Sequence, residues 1–412
     1  HNLNRAWHTQ FASYDEIGIW DDYRGYYDGI RVPEDADAVR YQECRAYQFD
    51  WQRFHIGLGN RNMVELHAYA QARSSKPHYV SMGEDAFGVG ESRKGIDRQH
   101  IYEQFDATAC AIDAFPDDPV FGMRFPRPVA TSVLARSLAP GKPLMVAPLR
   151  FHFVDAHPDP QEYGFVRTMV WETVLAGASA VALDADSEVY AHPHALEAFA
   201  VTALDVNRLS DVVSAFQEDV PVIAVLYSAS SKIFDDGDPH LRSCLHAFEG
   251  CSFGGYGVRY ITEEQCESGA LDGVKVLVVP ETPALSDAAF DAIVAYLEAG
   301  GTVARAGSPI PYNERGESRP GILPPTGNTV LVRGMNLPTE YLHAIDAAIV
   351  LGALPMIPRP VNPHGYPLEG VKTRYVERDG QAYLYVVNLR KEPVVCHLTG
   401  SAQTGRDLLG GG

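Results

Sequence analysis

Residues 165–188 run FVRTMVWETVLAGASAVALDADSE, a helical repeat that passes into a short apolar run. Phe165, Met169, Val170, Val174 and Leu175 recur at helical spacing, Gly177 supplies a helix stop, and residues 180–183 are a short apolar run that ends in acids. The pattern predicts a helix feeding a buried strand. In a (β/α)₈ barrel, Asp184, Asp186 and Glu188 would then stand at the mouth, because the C-terminal strand ends carry the active site. An ordinary αβ unit with a solvated acidic loop fits the periodicity equally well.

Upstream, the same alternation repeats. Residues 49–73 carry apolar positions at helical spacing, with an expected break near residues 57–60. Residues 76–82, 109–115 and 142–151 read as strands, each followed by polar residues, with helices at 101–105 and 129–138 between them. Together with residues 180–183 they predict four strands of a parallel α/β sheet joined by right-handed crossovers. The functional end would collect Glu84, Asp85, Asp113, Asp117, Arg150, His152, Asp184, Asp186 and Glu188. Residues 1–47 have little periodicity and read as a long loop. There, Trp7, Trp20, Tyr23, Tyr26 and Tyr27 beside Asp21, Asp22 and Asp28 are residue types that stack on sugar faces and bind hydroxyls, or that pin a loop to a surface.

Downstream, residues 196–216 predict one long amphipathic helix. Strands at 220–227, 258–261, 274–279 and 302–306 then alternate with helices, the last of which is capped by Ser286 and stopped by Gly300-Gly301. This is a second doubly wound unit with the rhythm of flavodoxin. It lacks GxGxxG, and the loop 228–238, rich in Ser and Asp, argues against a bound phosphate or flavin. After a Pro- and Gly-rich connector at 309–325 comes a helix at 340–351. From residue 371 the period becomes two, and Asp379-Gly380 marks a hairpin, so the last unit reads as a small antiparallel β-sandwich. The expected division is 1–216, 217–325 and 326–412.

A net charge of −19 over 412 residues, with no basic stripe, opposes partnership with nucleic acid or an anionic membrane. No apolar run is long enough to span a bilayer. The six cysteines (Cys44, Cys110, Cys244, Cys251, Cys266, Cys396) lack CxxC spacing, so no zinc cluster or disulfide framework is signalled. The opening HNLNRAW has neither the basic nor the apolar region of a signal peptide, which points to a cytoplasmic protein. His192 and His194 form HxH, a weak metal pattern more usual for turn histidines. No metal or organic cofactor is expected.

Three passages resemble family 42 glycoside hydrolases: LNRAWHTQF at 3–11 with Ser13 and Glu16-Ile17 behind it, Trp171-Glu172 through Ala176-Gly177-Ala178, and VLVVPETPALSD followed by YLEAGGT. The resemblance implies the C-terminal half of a TIM barrel, a flavodoxin-like trimerisation domain and a β-sandwich, in a homotrimer of the β-galactosidase type acting on a carbohydrate. It also implies a retaining mechanism with two carboxylates about 5 to 5.5 Å apart. The family's acid/base falls before His1, and Glu16 is a weak substitute for it. Ala147 or Pro148 stands where the nucleophilic Glu is expected, so either catalysis is altered or the chain is a non-catalytic carbohydrate-binding or scaffold relative. Four strands cannot close a barrel, so a longer polypeptide or a partner is expected to supply the rest.

Trp7, Asp113, Arg150, Asp184, Glu188 and His192 are the candidate substrate-binding residues, and no catalytic residue is assigned. Asp113 matches a family Asp near the sugar, and Glu188 and His192 lie in the loop that holds substrate hydroxyls. Arg150 departs from the family pattern. A guanidinium there suits an acidic sugar, or pairs with Asp113 or Asp184 to fix the strand ends.

Overall fold

The computed structural model describes residues 5, 38–88, 95–153, 160–184, 188–234, 238–307, 310–319, 323, 328–334, 336–400 and 405–409. The first unit begins with α1 (Ala38–Gln71), then β1 (Tyr79–Met82), α2 (Arg98–Gln104), β2 (Ala107–Ala114), α3 (Arg127–Leu138), β3 (Leu144–Phe151), α4 (Pro160–Leu175) and β4 (Ala178–Leu183). The four strands form one parallel sheet in the order β1-β2-β3-β4. The inner strands β2 and β3 are largely buried, as continuous apolar runs in a covered parallel sheet should be. The edge strands β1 and β4 are more exposed.

Two expectations about α1 fail. It is one uninterrupted helix that already runs through residues 38–47, and it is not broken near residues 57–60. Gly59 is there because the chain packs against it: a Cβ at this position would stand 2.2 Å from the Gly95 carbonyl oxygen. A glycine required by close approach looks the same in sequence as one that ends a helix.

Next come α5 (Pro193–Arg208) and α6 (Ser210–Glu218), where a single helix over 196–216 was expected; the chain leaves helical geometry at Leu209. The second unit contains β5 (Ile223–Tyr227), α7 (Ala229–Phe234), α8 (Asp238–Ser252), β6 (Val258–Thr262), α9 (Glu263–Glu267), β7 (Val276–Val279), α10 (Asp287–Glu298), β8 (Thr302–Arg305) and β9 (Thr329–Leu331). Its five parallel strands lie in the order β6-β5-β7-β8-β9, which is the flavodoxin order. The fifth strand comes from beyond residue 325. Ser286 caps α10 by accepting the Ala289 amide at 3.1 Å.

The expected loop at 228–238 is helical over α7, and the reason is a carboxylate. Buried Glu263 accepts from the Ser228 and Ser230 hydroxyls (2.6 and 2.8 Å) and from the Ser230 and Ser286 amides (2.7 and 2.8 Å). An internal acid thus takes up backbone donors at the C-terminal edge of the sheet, the edge where mononucleotide folds present donors to an anion.

The C-terminal region has α11 (Pro338–Val350), β10 (Pro360–Val361), β11 (Val371–Arg378), β12 (Gln381–Asn388) and β13 (His397–Leu398). It is antiparallel throughout, in two two-stranded sheets, β10-β13 and the β11-β12 hairpin. The hairpin turns at Asp379-Gly380, both at positive φ. Partly buried Arg374 fastens it to the first unit by donating to the Leu175 carbonyl (2.7 Å) and the Phe216 carbonyl (3.0 Å), near the C-terminal ends of α4 and α6. Tyr260 N donates to Ser137 Oγ at 3.1 Å and ties the second unit to α3. No helix among the described residues is long and apolar enough to cross a membrane. Cys110, Cys244, Cys251, Cys266 and Cys396 are free, and the first four of these are buried.

Candidate functional site

Parallel pairing sets Asp113 beside Arg150 at the C-terminal ends of β2 and β3, and β4 delivers Asp184 one residue past its own end. Arg150 Nε donates to Asp184 Oδ2 at 2.7 Å, and its Nη1 lies 3.4 Å from both Asp113 oxygens. The Asp184 hydrogen bond, with Asp113 adding to it, pushes the Arg150 pKa upward. The guanidinium therefore spans two carboxylates across three strands.

The network continues through His152. Its Nε2 is 2.9 Å from Asp113 Oδ1, its Nδ1 is 3.7 Å from Glu188 Oε1, and its ring stacks on Phe115 with centroids 4.3 Å apart. Glu188 Oε2 accepts the Phe153 amide at 2.6 Å. Asp184, Arg150, Asp113, His152 and Glu188 thus form one half-exposed polar row over the sheet edge, with three carboxylates against one permanent cation. Its side chains are partly solvated, so hydroxyl-bearing ligands can reach the carboxylate oxygens without first paying for deep desolvation.

Of the other candidates, His192 and Asp117 adjoin this row. His192 stacks on Phe153 (4.3 Å) and pairs with Glu162 at 3.3 Å, adjoining the row through an aromatic contact. His194 is exposed and lies 3.9 Å from Glu197, so the HxH pair does not converge. Asp117 makes a bidentate pair with Arg124 (2.7 and 2.6 Å), and that hydrogen-bonded guanidinium holds the Asp117 pKa below its ordinary value. Arg124 also lies 4.1 Å over the Phe115 ring, which places the pair behind the His152 stack. Glu84 and Asp85 fall on a short 3₁₀ turn after β1. Trp7, Glu16, Asp186 and the other aromatic residues before position 38 lie outside the described residues.

Phe115, Phe153, Glu162 and Arg124 escaped the sequence reading. Phe153 has a local signal, since the alternation of residues 149–153 runs on past β3, but nothing in sequence pairs Glu162 with His192. Ala147 is buried and offers its carbonyl to Ser81 Oγ at 2.5 Å, so the position expected for a nucleophile serves packing and backbone bonding.

The sequence matches no protein-family profile and no curated protein. Solved structures do match. An exo-carrageenase of glycoside hydrolase family 42 from Bacteroides ovatus superposes with a TM-score of 0.73 at 17% identity, over 94% of this chain and 54% of that one. The fold is that of family 42 glycoside hydrolases. A β-galactosidase from Bacillus circulans sp. alkalophilus gives a TM-score of 0.69 at 14% identity, covering 99% of this chain and 71% of its own. A β-galactosidase from the psychrophilic Marinomonas ef1 gives 0.67 at 13%, covering 97% and 70%. The chain thus spans about half the length of the carrageenase and carries the family 42 fold over that part.

Proposed function

We propose that this chain is part of a glycoside hydrolase-like protein of the β-galactosidase type that holds a neutral, β-linked oligosaccharide over the Asp184–Arg150–Asp113–His152–Glu188 row. The carrying observation is that row itself: five polar side chains converge at the C-terminal ends of parallel strands, where barrel enzymes bind their ligands. Arg150 is engaged by two acids, which favours its pairing role over capture of an acidic sugar. The carboxylate oxygens then accept from sugar hydroxyls, and His192, stacked on Phe153, walls one side. In this reading the four-stranded sheet is the closing half of a (β/α)₈ barrel, a view supported by the exposed residues of its edge strands. The family 42 fold favours a homotrimer and a retaining reaction.

One observation favours a second reading. Ala147-Pro148 and Arg150 supply no carboxylate on β3, as in a relative that binds carbohydrate without cleaving it. Hydrolysis of a panel of aryl β-glycosides by the full-length protein, run beside calorimetric titration with the corresponding sugars, separates the two. Turnover supports the hydrolase, binding without turnover supports the second reading, and neither outcome with any sugar overturns both.

A further inference from the structure

At the opposite end of the first sheet, three side chains from different elements converge. His67 comes from α1, His78 directly precedes β1, and Asp106 directly precedes β2. One ligand atom from each lies within 4.8 Å of the others, and both His67 Nε2 and His78 Nδ1 are 4.0 Å from Asp106 Oδ2. Both ring nitrogens are buried, and neither has a hydrogen-bond partner among the described residues. His67 is only 6% exposed. Two buried imidazole nitrogens that face a carboxylate oxygen, yet stand too far from it to hydrogen-bond, leave a gap of the size an ion fills.

We propose that His67, His78 and Asp106 bind one divalent transition-metal ion of the Zn²⁺ class, which fastens α1 to the base of the parallel sheet. Imidazole donors suit zinc and its neighbours and disfavour magnesium and calcium. Around a tetrahedral zinc with bonds of about 2.1 Å, donor atoms sit about 3.4 Å apart, so small side-chain rotations close the site. Two of the donors are already placed. The His78 amide donates to Asp106 Oδ2 at 2.8 Å, and the Asp106 amide donates to the His78 carbonyl at 3.0 Å, locking those residues together. The His67 ring is held by stacking on Phe105, with centroids 4.3 Å apart. Asp106 is partly exposed, so water has access to the fourth coordination position.

The role is structural. Asp106 and Asp113 are separated by the length of β2, about 23 Å at the rise of an extended strand, so the ion takes no part in chemistry at the carboxylate row. The ion neutralises Asp106 and links a helix to two strand starts.

The test uses the full-length protein, free of histidine tags, stripped with chelator and titrated with Zn²⁺ against a chromophoric competitor. One ion per chain is expected, with a rise of several degrees in the thermal midpoint. His67→Gln and His78→Gln should each weaken binding by more than about 100-fold, beyond the loss that outer-shell changes produce. Both variants should keep the native circular dichroism spectrum and the midpoint of the stripped parent. Absence of stoichiometric uptake by the parent overturns the proposal, as does uptake unchanged in both variants. Should either variant fail to fold, Asp106→Asn decides: it keeps an acceptor for the His78 amide and should still lose tight zinc binding, while retained binding overturns the site.

Discussion

Lys372, on the C-terminal hairpin, reaches Glu172 of α4 across 200 residues of sequence, with Nζ 2.5 Å from Oε2. Both side chains are buried: Lys372 is 9% exposed and Glu172 1%. A pair so far from water gains little net stability from its own attraction, since both charges have lost their hydration, but either partner left alone is a large liability. Lys372→Met should therefore cost about 3–5 kcal/mol of unfolding free energy, while Lys372→Met with Glu172→Leu should recover most of it. Urea titration of both variants checks this, and equal losses in the single and double variants would refute the pairing.

Glu263 has four donors directed at it by Ser228, Ser230 and Ser286, and Glu263→Ala takes the acceptor from both Ser230 donors and the Ser286 amide, while the Ser228 hydroxyl keeps the Ala284 carbonyl at 3.1 Å. A loss of about 3 kcal/mol or more is expected, because each stranded buried donor costs on the order of 1–3 kcal/mol. Glu263→Gln, which keeps one oxygen, should cost distinctly less. Thermal melts of the two variants side by side test the ordering.

Glu249, half-buried on α8, has its pKa pushed up to about 7 by desolvation, with Glu369 and Asp118 adding repulsion. The folded state then binds a proton that the unfolded state releases near the ordinary glutamate value. Stability contributed by the neutral acid is present below about pH 4.5 and is lost as pH rises through about 7, by an amount on the order of 3 kcal/mol. Glu249→Gln should flatten that part of the stability–pH curve and be more stable than the parent at pH 8. A variant curve parallel to the parent's from pH 5 to 8 would count against it.

At the carboxylate row, Asp113→Asn and Glu188→Gln should each weaken oligosaccharide binding by about 10- to 100-fold, the range for hydrogen bonds to charged groups. Their effect on stability should stay near 1 kcal/mol, since the ion pairs there are partly solvated. Arg150→Lys keeps the charge but loses the fork that spans Asp113 and Asp184, so binding should fall here as well. Calorimetry gives the affinity and urea titration the stability; weakened folding with unchanged binding would detach the row from the ligand.

What the sequence determined was local. Apolar periodicity placed all four strands of the first sheet, Ser286 and Asp379-Gly380 announced a cap and a hairpin, and the strand ends named Asp113, Arg150, Asp184 and Glu188, because these signals act within a few residues of one another. Tertiary structure decided the rest. Gly59 reads as a helix breaker until the chain at Gly95 is seen to press against it. The helix at residues 229–234 appears only once Glu263 supplies its acceptor from 33 residues away. Arg150 is held between Asp113 and Asp184, and His67, His78 and Asp106 were brought together from spacings that match no ligand motif. Periodicity reports which face of an element turns inward, whereas the partner waiting there is set by how elements distant in sequence pack, and that is where charge pairing and ligand geometry are settled.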